Sequence, residues 1–547
     1  MKLSPPTRTL LGLAILVGIV VGGTVLLSGL FSKKAPEPLS VRVLPEEART
    51  YIERVNEAFA SGWEEKGVSP TPNADPYTIA RRLSLALTGA PPSLEELRKL
   101  DELPPEADPT QSWLDHLFQD PRYHSYFAER LARAYVGVET GPFLVYRRRR
   151  LVNWLGDQLE QNRRYDALVR DLVAARGIWT TNPEANFITV SVVQGGNNEG
   201  PDEVKLAART SRAFLGISLD CMQCHDDKFG DHWKQEHFHE LAAFYAQAEV
   251  QLTGIREKHS REYETKFLGE TEEHVVSEAV PYRPDLLPEE GDRRSRLARW
   301  ITHAENEAFS RAAVNRIWGL LLGRPLHSPV DDIPLEGPFP AGMEEMAAIF
   351  VETNHNLQSL IRLIAASEPF QRSSQSEDPT TPVTEEQEAA WAVFPITPLR
   401  SEQVAGSIIQ AGSLQALDRD AHIISKLRRF GETRDFVKRY GDQGEDEFAE
   451  EAGTIPQRLL LMNGKLVGER TKPDPIMNSS TRLANYASSD EQAIDAAFLA
   501  TLTRLPTPDE KNHFAGLLRD TRKKQRERAM QDIYWALINS TEFSWNR

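Results

Sequence analysis

The sequence predicts a mainly α protein, with an N-terminal transmembrane helix followed by two helical domains with long irregular loops. Three observations carry this. Apolar residues recur at helical spacing in segment after segment from residue 45 onward. No block of alternating apolar and polar residues is long enough for a sheet domain. The stretch from Leu10 to Phe31 runs 22 residues without a charge. At 547 residues the chain exceeds one hydrophobic core. Its 64 basic against 80 acidic residues give a net charge of -16, which disfavours nucleic acid as a partner.

Residues 1–9 read as a cytoplasmic tail and 10–31 as a transmembrane anchor. At about 1.5 Å per residue such a helix covers a hydrocarbon layer of about 30 Å. Lys2 and Arg8 precede it and Lys33 and Lys34 follow, so charge tips it only slightly toward N-terminus inside. Leu27-Ser28-Gly29 is a poor cleavage site, which favours a retained anchor over a removed signal. Residues 32–44, with Pro36 and Pro38, form a tether.

A first helical domain is expected over 45–250. Ala48, Ile52, Val55, Ala58 and Phe59 make one helical stripe, and Asp75-Pro76 starts the next helix. Gly89-Ala90-Pro91-Pro92 breaks it, after which Ser93 and Glu96 have capping-box spacing. Further helices are predicted over Trp113–Phe118, Tyr126–Val138, Leu151–Gln161 and Tyr165–Ala175, with Asp120-Pro121-Arg122 as a separating turn. The run Arg147–Arg150 reads as a solvated helix start. From Gly177 to Pro201 periodicity vanishes into an Asn- and Gly-rich loop. Asp202 then caps a helix that leads to Cys221, and His232–Val250 is again amphipathic.

Residues 251–290 are charged and irregular, with a short strand at Val275-Val276, and read as a linker. A second helical domain is expected over 291–547. Its helices include Phe309–Leu322, Met343–Thr353 and Leu357–Ala366, and 373–388 is a Ser-, Thr-, Pro- and Glu-rich surface excursion.

The pentapeptide Cys221-Met222-Gln223-Cys224-His225 holds both cysteines of the chain and a histidine directly after the second. In an exported protein this pattern is a c-type haem attachment site, with Cys221 and Cys224 for the vinyl groups and His225 as proximal iron ligand. Haem attachment takes place outside the cytoplasmic membrane, so this reading and an anchor with its N-terminus inside support each other. His237 or His232 is the nearest candidate distal ligand, with His239 behind them. Without a sixth ligand the iron would be suited to peroxide or small-ligand chemistry.

Two other chemistries use the same residues. A thioredoxin-type dithiol calls for a strand ahead of the motif, whereas a helix is predicted there. A structural zinc site needs four ligands, which Cys221 and Cys224 could supply with two of His225, His232, His237 and His239. Elsewhere there is no Gly-x-Ser-x-Gly, phosphate loop or His-Glu-x-x-His. Asp331, Asp332 and Glu336 read as caps of helices and turns ahead of acid-base or cation chemistry. Asn197, Asn198, Glu199, Asp202 and Glu203 are oxygen-rich but lack the fixed spacing of a calcium loop.

The segment Phe214-Leu-Gly-Ile-Ser-Leu-Asp-Cys-Met-Gln-Cys-His225, followed by Trp233-Lys-Gln235 and Leu241-Ala-Ala-Phe-Tyr245, resembles the planctomycete-type cytochrome c-like domain. Arg81-Arg-Leu-Ser-Leu-Ala-Leu-Thr-Gly-Ala-Pro-Pro92 and Asn186-Phe187 ahead of Gly200-Pro-Asp-Glu203 add to it. The later block resembles the planctomycete-specific domain that accompanies it. There the matching pieces are Leu297-Ala-Arg-Trp-Ile301, Val314-Asn-Arg-Ile-Trp318, Gly323-Arg324, Pro329-Val-Asp-Asp332, Ile455-Pro-Gln457, Leu461-Met-Asn463 and Ile538-Asn-Ser540 with Glu542-Phe543. The resemblance implies an exported, largely helical protein of a family without an established activity. Asp227 stands where members commonly have a second histidine.

Together these readings predict a single-pass, membrane-anchored c-type cytochrome-like protein, its bulk on the periplasmic side. It would carry haem c at Cys221, Cys224 and His225 and pass electrons to a redox partner, in preference to acting as a haem-dependent enzyme. The alternative is a helical scaffold or accessory protein with zinc or a disulfide at the motif, binding a partner or polysaccharide.

Overall fold

Several helices begin at side-chain caps, and the resulting bundle is closed by residues far apart in the chain. The computed structural model describes residues 38–138, 141–142, 144–193, 200–227, 233–378, 380–416, 433–441, 448, 454–474 and 478–547. At 57% helix and 5% strand it is mainly α. The expected anchor at 10–31 lies outside the described residues. Among those described, no helix is long and apolar enough to cross a membrane.

Helix α1 (Glu46–Lys66) turns Val55, Phe59 and Trp63 inward. Helix α2 (Pro76–Thr88) starts at Asp75, whose carboxylate accepts the N–H groups of Tyr77 and Thr78 at 2.9 and 3.1 Å. It ends at Gly89, which has φ of 71° and so takes the left-handed cap that other residues resist. Helix α3 (Leu94–Asp101) has the expected capping box, Ser93 and Glu96 exchanging bonds of 2.8 and 3.2 Å. Helices α4 (Pro109–Phe118), α5 (Pro121–Val136), α6 (Arg148–Glu160) and α7 (Tyr165–Val173) follow. The start of α5 differs from the reading of Asp120-Pro121-Arg122 as a turn. Asp120 caps the helix at 2.8 Å through the Arg122 N–H and Pro121 takes its first position, where no N–H is needed. At the start of α6, Arg148 pairs with Glu129 at 2.8 Å.

Helix α8 (Glu203–Thr210) runs into one wider π-helical turn over Ser211–Leu215. The expected helix over His232–Val250 is shorter than its pattern: α9 spans Gln235–Ala243 and strand β1 (Ala248–Gln251) follows. Residues 243–248 are buried throughout, so their apolar character could not distinguish helix from strand. Strand β1 pairs antiparallel with β2 (Gly254–Glu257), and β3 (Tyr263–Thr265) with β4 (His274–Val276), the strand expected at Val275-Val276. The 251–290 stretch thus holds most of two hairpins.

The later helices include α10 (Arg293–Ile301), α11 (Glu307–Leu322), α12 (Met343–Glu352), α13 (Leu357–Ala366), α14 (Ser401–Ala411), α15 (Asp490–Leu502) and α16 (Lys524–Ile538). Strands β5 (Thr397–Pro398) and β6 (Trp545–Asn546) pair across the sequence.

Residues 41–547 form one compact unit, and the expected blocks 45–250 and 291–547 interlock within it. Helix α2 packs on α4 and α5 from the first block and on α11 from the second. The buried Arg82 donates to the Phe370, Arg372 and Arg547 carbonyls at 2.7 to 2.8 Å, with its guanidinium 3.5 Å over the Phe394 ring. Phe59 of α1 stacks on Trp318 of α11 with ring centroids 5.6 Å apart, and the Trp63 indole N–H donates to the Ala390 carbonyl at 2.8 Å. Aromatic side chains of this size dominate core energetics. Gly406 on α14 sits so close to the end of α2 that a Cβ there would lie 2.1 Å from the Gly89 carbonyl oxygen. Leu85 and Leu94 are embedded in the same apolar cluster as Val404, Ile494, Phe498, Tyr534 and Phe543.

Candidate functional site

The Cys221 motif is delivered by the π-helical turn after α8. Gly216 ends that turn with φ of 65°, and its carbonyl accepts the Ile333 N–H at 2.7 Å. A Cβ at Gly216 would meet Ile333 and Ala312 at 3.0 and 3.1 Å, so the second block presses directly on the approach to the motif. Ser211 donates its hydroxyl to the Ile217 carbonyl and closes the wider turn.

Residues Asp220–Gln223 form one 3-10 turn. Met222 points inward and is buried, whereas Cys221 and Cys224 are exposed, free thiols. The Cys224 N–H donates to the Cys221 carbonyl at 3.2 Å. The short turn is therefore anchored by its apolar residue and presents both sulfurs outward.

His225 Nδ1 lies 2.7 Å from the Asp226 carbonyl oxygen. A carbonyl can only accept, so Nδ1 carries the proton and the neutral ring keeps its lone pair on Nε2. His239 is arranged differently. Its Nε2 is 3.2 Å from the Gln223 carbonyl and its Nδ1 is 2.8 Å from the Tyr263 hydroxyl. Nε2 must donate, so Nδ1 accepts from the phenol, and both nitrogens are used. Burial pushes the His239 pKa down, which keeps the ring neutral, although the Gln223 bond opposes that shift. Tyr263 and Phe267 pack against the ring with centroids 5.9 and 5.5 Å away.

Gln235, at the start of α9, completes the clamp. Its side-chain N–H donates to the Gln223 carbonyl at 3.1 Å, and its backbone N–H donates to Asp226 at 2.8 Å. Its side-chain oxygen accepts the Leu268 N–H at 3.1 Å. The motif is thus held from below by α9 and, through Tyr263 and Leu268, by the segment that follows the first hairpin. Sequence reading missed this role for Gln235 and His239. Their spacing of four, one turn of the same helix face, was the available signal.

Of the two candidate distal ligands, His232 lies outside the described residues. His237 is half-buried, with Trp233 edge-on at 6.3 Å, and its Nδ1 accepts the Lys234 N–H at 3.3 Å. That bond places the proton on Nε2 when the ring is neutral, so ligation through Nε2 requires the other tautomer. Among the described residues no three His, Cys, Asp or Glu side chains are grouped closely enough to hold a metal ion. For the zinc reading, His239 is already committed on both sides.

The acidic candidates separate. Asp202 caps α8 at 3.0 Å and Glu203 pairs with Arg261 at 2.7 Å, while Asn197, Asn198 and Glu199 lie outside the described residues. Asp332 has its pKa raised by burial and by Asp331, against a bond from the Ser218 backbone. Of these, Asp202 is a helix cap and Glu203 an ion-pair partner.

Residues 54–250 match the PSCyt2 family model, described as a protein of unknown function (DUF1549). Residues 293–424 match the PSD1 family model, also described as a protein of unknown function (DUF1553). The two follow one another in the order expected from the resemblance. No curated protein matches the chain, and no solved structure does.

Proposed function

We propose that this chain is a membrane-anchored, exported c-type cytochrome-like protein that transfers electrons. Cys221 and Cys224 would carry the two thioether bonds, and His225 Nε2 would be the proximal ligand. Haem c supplies a one-electron iron couple when bound. The observation that carries the reading is the His225 bond to the Asp226 carbonyl at 2.7 Å, which in the neutral ring puts the lone pair on Nε2, in a motif whose two thiols are exposed. Fixing a ligand imidazole through its other nitrogen is how proteins set both tautomer and ring orientation. The clamp from Gln235 and His239 holds the peptide between the two thiols.

The proposal extends to an anchor at 10–31 with the bulk of the chain on the periplasmic side, where attachment occurs, and to a redox partner there. His237 is the candidate sixth ligand within the described residues, with His232 as its competitor.

Expression together with haem-attachment machinery tests the reading. A covalent mass increase of one haem, a Soret band and a pyridine haemochrome are expected, all lost in Cys221→Ser/Cys224→Ser. A colourless protein with two titratable thiols would overturn it. Stoichiometric zinc, or loss of both thiols to a disulfide, would instead support the scaffold alternative.

A further inference from the structure

A cavity of about 900 Å³ opens between the segments matched by the two family models. Its wall carries Arg133, Arg209 and Arg212 from the first segment and Arg316, Arg324 and Arg400 from the second. Asp331 and Glu388 are the acids among its described lining residues. Six cations against two carboxylates reverse the balance of a chain whose net charge is -16. Neither segment makes this wall alone.

Part of the positive charge is already matched. Arg133 meets Glu402 at 2.7 Å, Arg212 faces Asp220 at 3.4 Å, and Arg324 donates to the Glu388 carbonyl at 2.7 Å while lying over Trp391. Arg316 and Arg400 differ. No carboxylate among the described residues pairs with either, and the Nε atom of each is buried without an acceptor. On α11 every residue from Ala308 to Leu322 is buried except Arg316, the one side chain of that run left partly open, and it lines the cavity. Arg400 is 7% exposed and lies 5.8 Å from the Phe448 ring centroid.

A buried guanidinium nitrogen without an acceptor forfeits hydration without a compensating bond. Its planar fork of donors matches the two oxygens of a carboxylate, phosphate or sulfate. The remainder of the wall is apolar where Leu320, Leu321 and Ile396 line it. We propose that this cavity binds an organic oxyanion, its charged group held by Arg316 and Arg400 and its body against Leu320, Leu321 and Ile396. The site is independent of the haem reading, since neither thiol nor His225 lines it.

The test uses the full chain with benzoate, phenyl phosphate, phenyl sulfate and the inorganic phosphate and sulfate ions as probes, followed by calorimetry and thermal unfolding. At least one aromatic anion is expected to bind and raise Tm, more tightly than inorganic phosphate or sulfate. Which member binds identifies the charged group. Arg316→Gln and Arg400→Gln should each weaken binding about tenfold, or about 1.4 kcal/mol. Arg528→Gln, an exposed arginine on α16, should bind like the parent. If a Gln variant does not fold, Arg316→Lys carries the comparison, with a smaller loss expected because charge is kept and the fork is not. No binding at millimolar concentration, unchanged binding in the Arg316 and Arg400 variants, or inorganic ions binding as well as aromatic ones would each overturn the proposal.

Discussion

Arg133 and Glu402 meet at 2.7 Å across 269 positions of sequence, and Arg130 reaches the same Glu402 oxygen at 3.0 Å. This triad joins α5 of the first matched segment to α14 of the second. Burial opposes the charge on Glu402, but the two guanidiniums outweigh it and lower its pKa to about 2. The folded pKa lies below the unfolded one, so the stabilisation is fully present above about pH 4.5 and is lost as pH falls toward 2. Glu402→Ala should cost about 3 kcal/mol at neutral pH by removing the carboxylate that two buried arginines share. Its urea midpoint should also become less sensitive to acid than the parent's.

His239→Phe keeps the ring volume and removes both hydrogen bonds that hold the Gln223 carbonyl and the Tyr263 phenol. A loss of about 2 kcal/mol is expected, together with faster amide exchange around Gln223 and Cys224. Tyr263→Phe should cost less, because Nε2 still donates to Gln223. Equal exchange rates in His239→Phe and the parent would show that His239 adds nothing to the clamp that Gln235 already makes.

His355 is buried with both ring nitrogens unpartnered. Burial lowers its pKa, with Arg164 and Arg170 adding to the shift and Asp166 opposing it. A folded pKa below the unfolded one means the unfolded state takes up a proton first as pH drops. Stability from this residue is therefore intact above about pH 6.5 and declines below it until the folded pKa is reached. His355→Asn, chosen because asparagine tolerates the positive φ of 53° at this position, should flatten that decline in a series of thermal melts from pH 7 to 5.

Two glycines should respond to alanine with opposite signs. At Gly406 the added methyl would meet the Gly89 carbonyl oxygen, a backbone atom that cannot swing aside, and a loss of about 2 to 3 kcal/mol is expected. At Gly468, inside the helix Lys465–Thr471, the new Cβ meets nothing within 4 Å. There alanine should stabilise by about 0.5 to 1 kcal/mol through helix propensity. Chemical denaturation of both variants checks the pair.

Local signals in the sequence carried the helices with explicit caps. Asp75, Ser93 with Glu96, and Asp202 each act as read, because their bonds close within three residues. Asp120-Pro121 carried an equally good helix-start signal that its turn-like composition obscured. The motif was legible, since one pentapeptide gathers both cysteines and a histidine; the outward direction of its thiols was not read. The clamp was not, because His239 meets partners 16 and 24 positions away through tertiary packing. The six arginines of the cavity were illegible for the same reason. They are scattered from position 133 to 400 and share no period that a pattern search could find.

The two buried arginines of α2 set a timetable for the chain. Arg82 waits for carbonyls 288, 290 and 465 positions downstream, and Arg81 for the Phe543 carbonyl 462 positions away. Contacts of such separation form late, because a long loop must close before they give any return. A chain emerging from its N-terminus therefore keeps one of its most central helices unfinished until its last strand has arrived. Residues 221 to 225 come out well before that point. Under the proposed export, Cys221 and Cys224 would reach the outside before the carbonyls that Arg81 and Arg82 need.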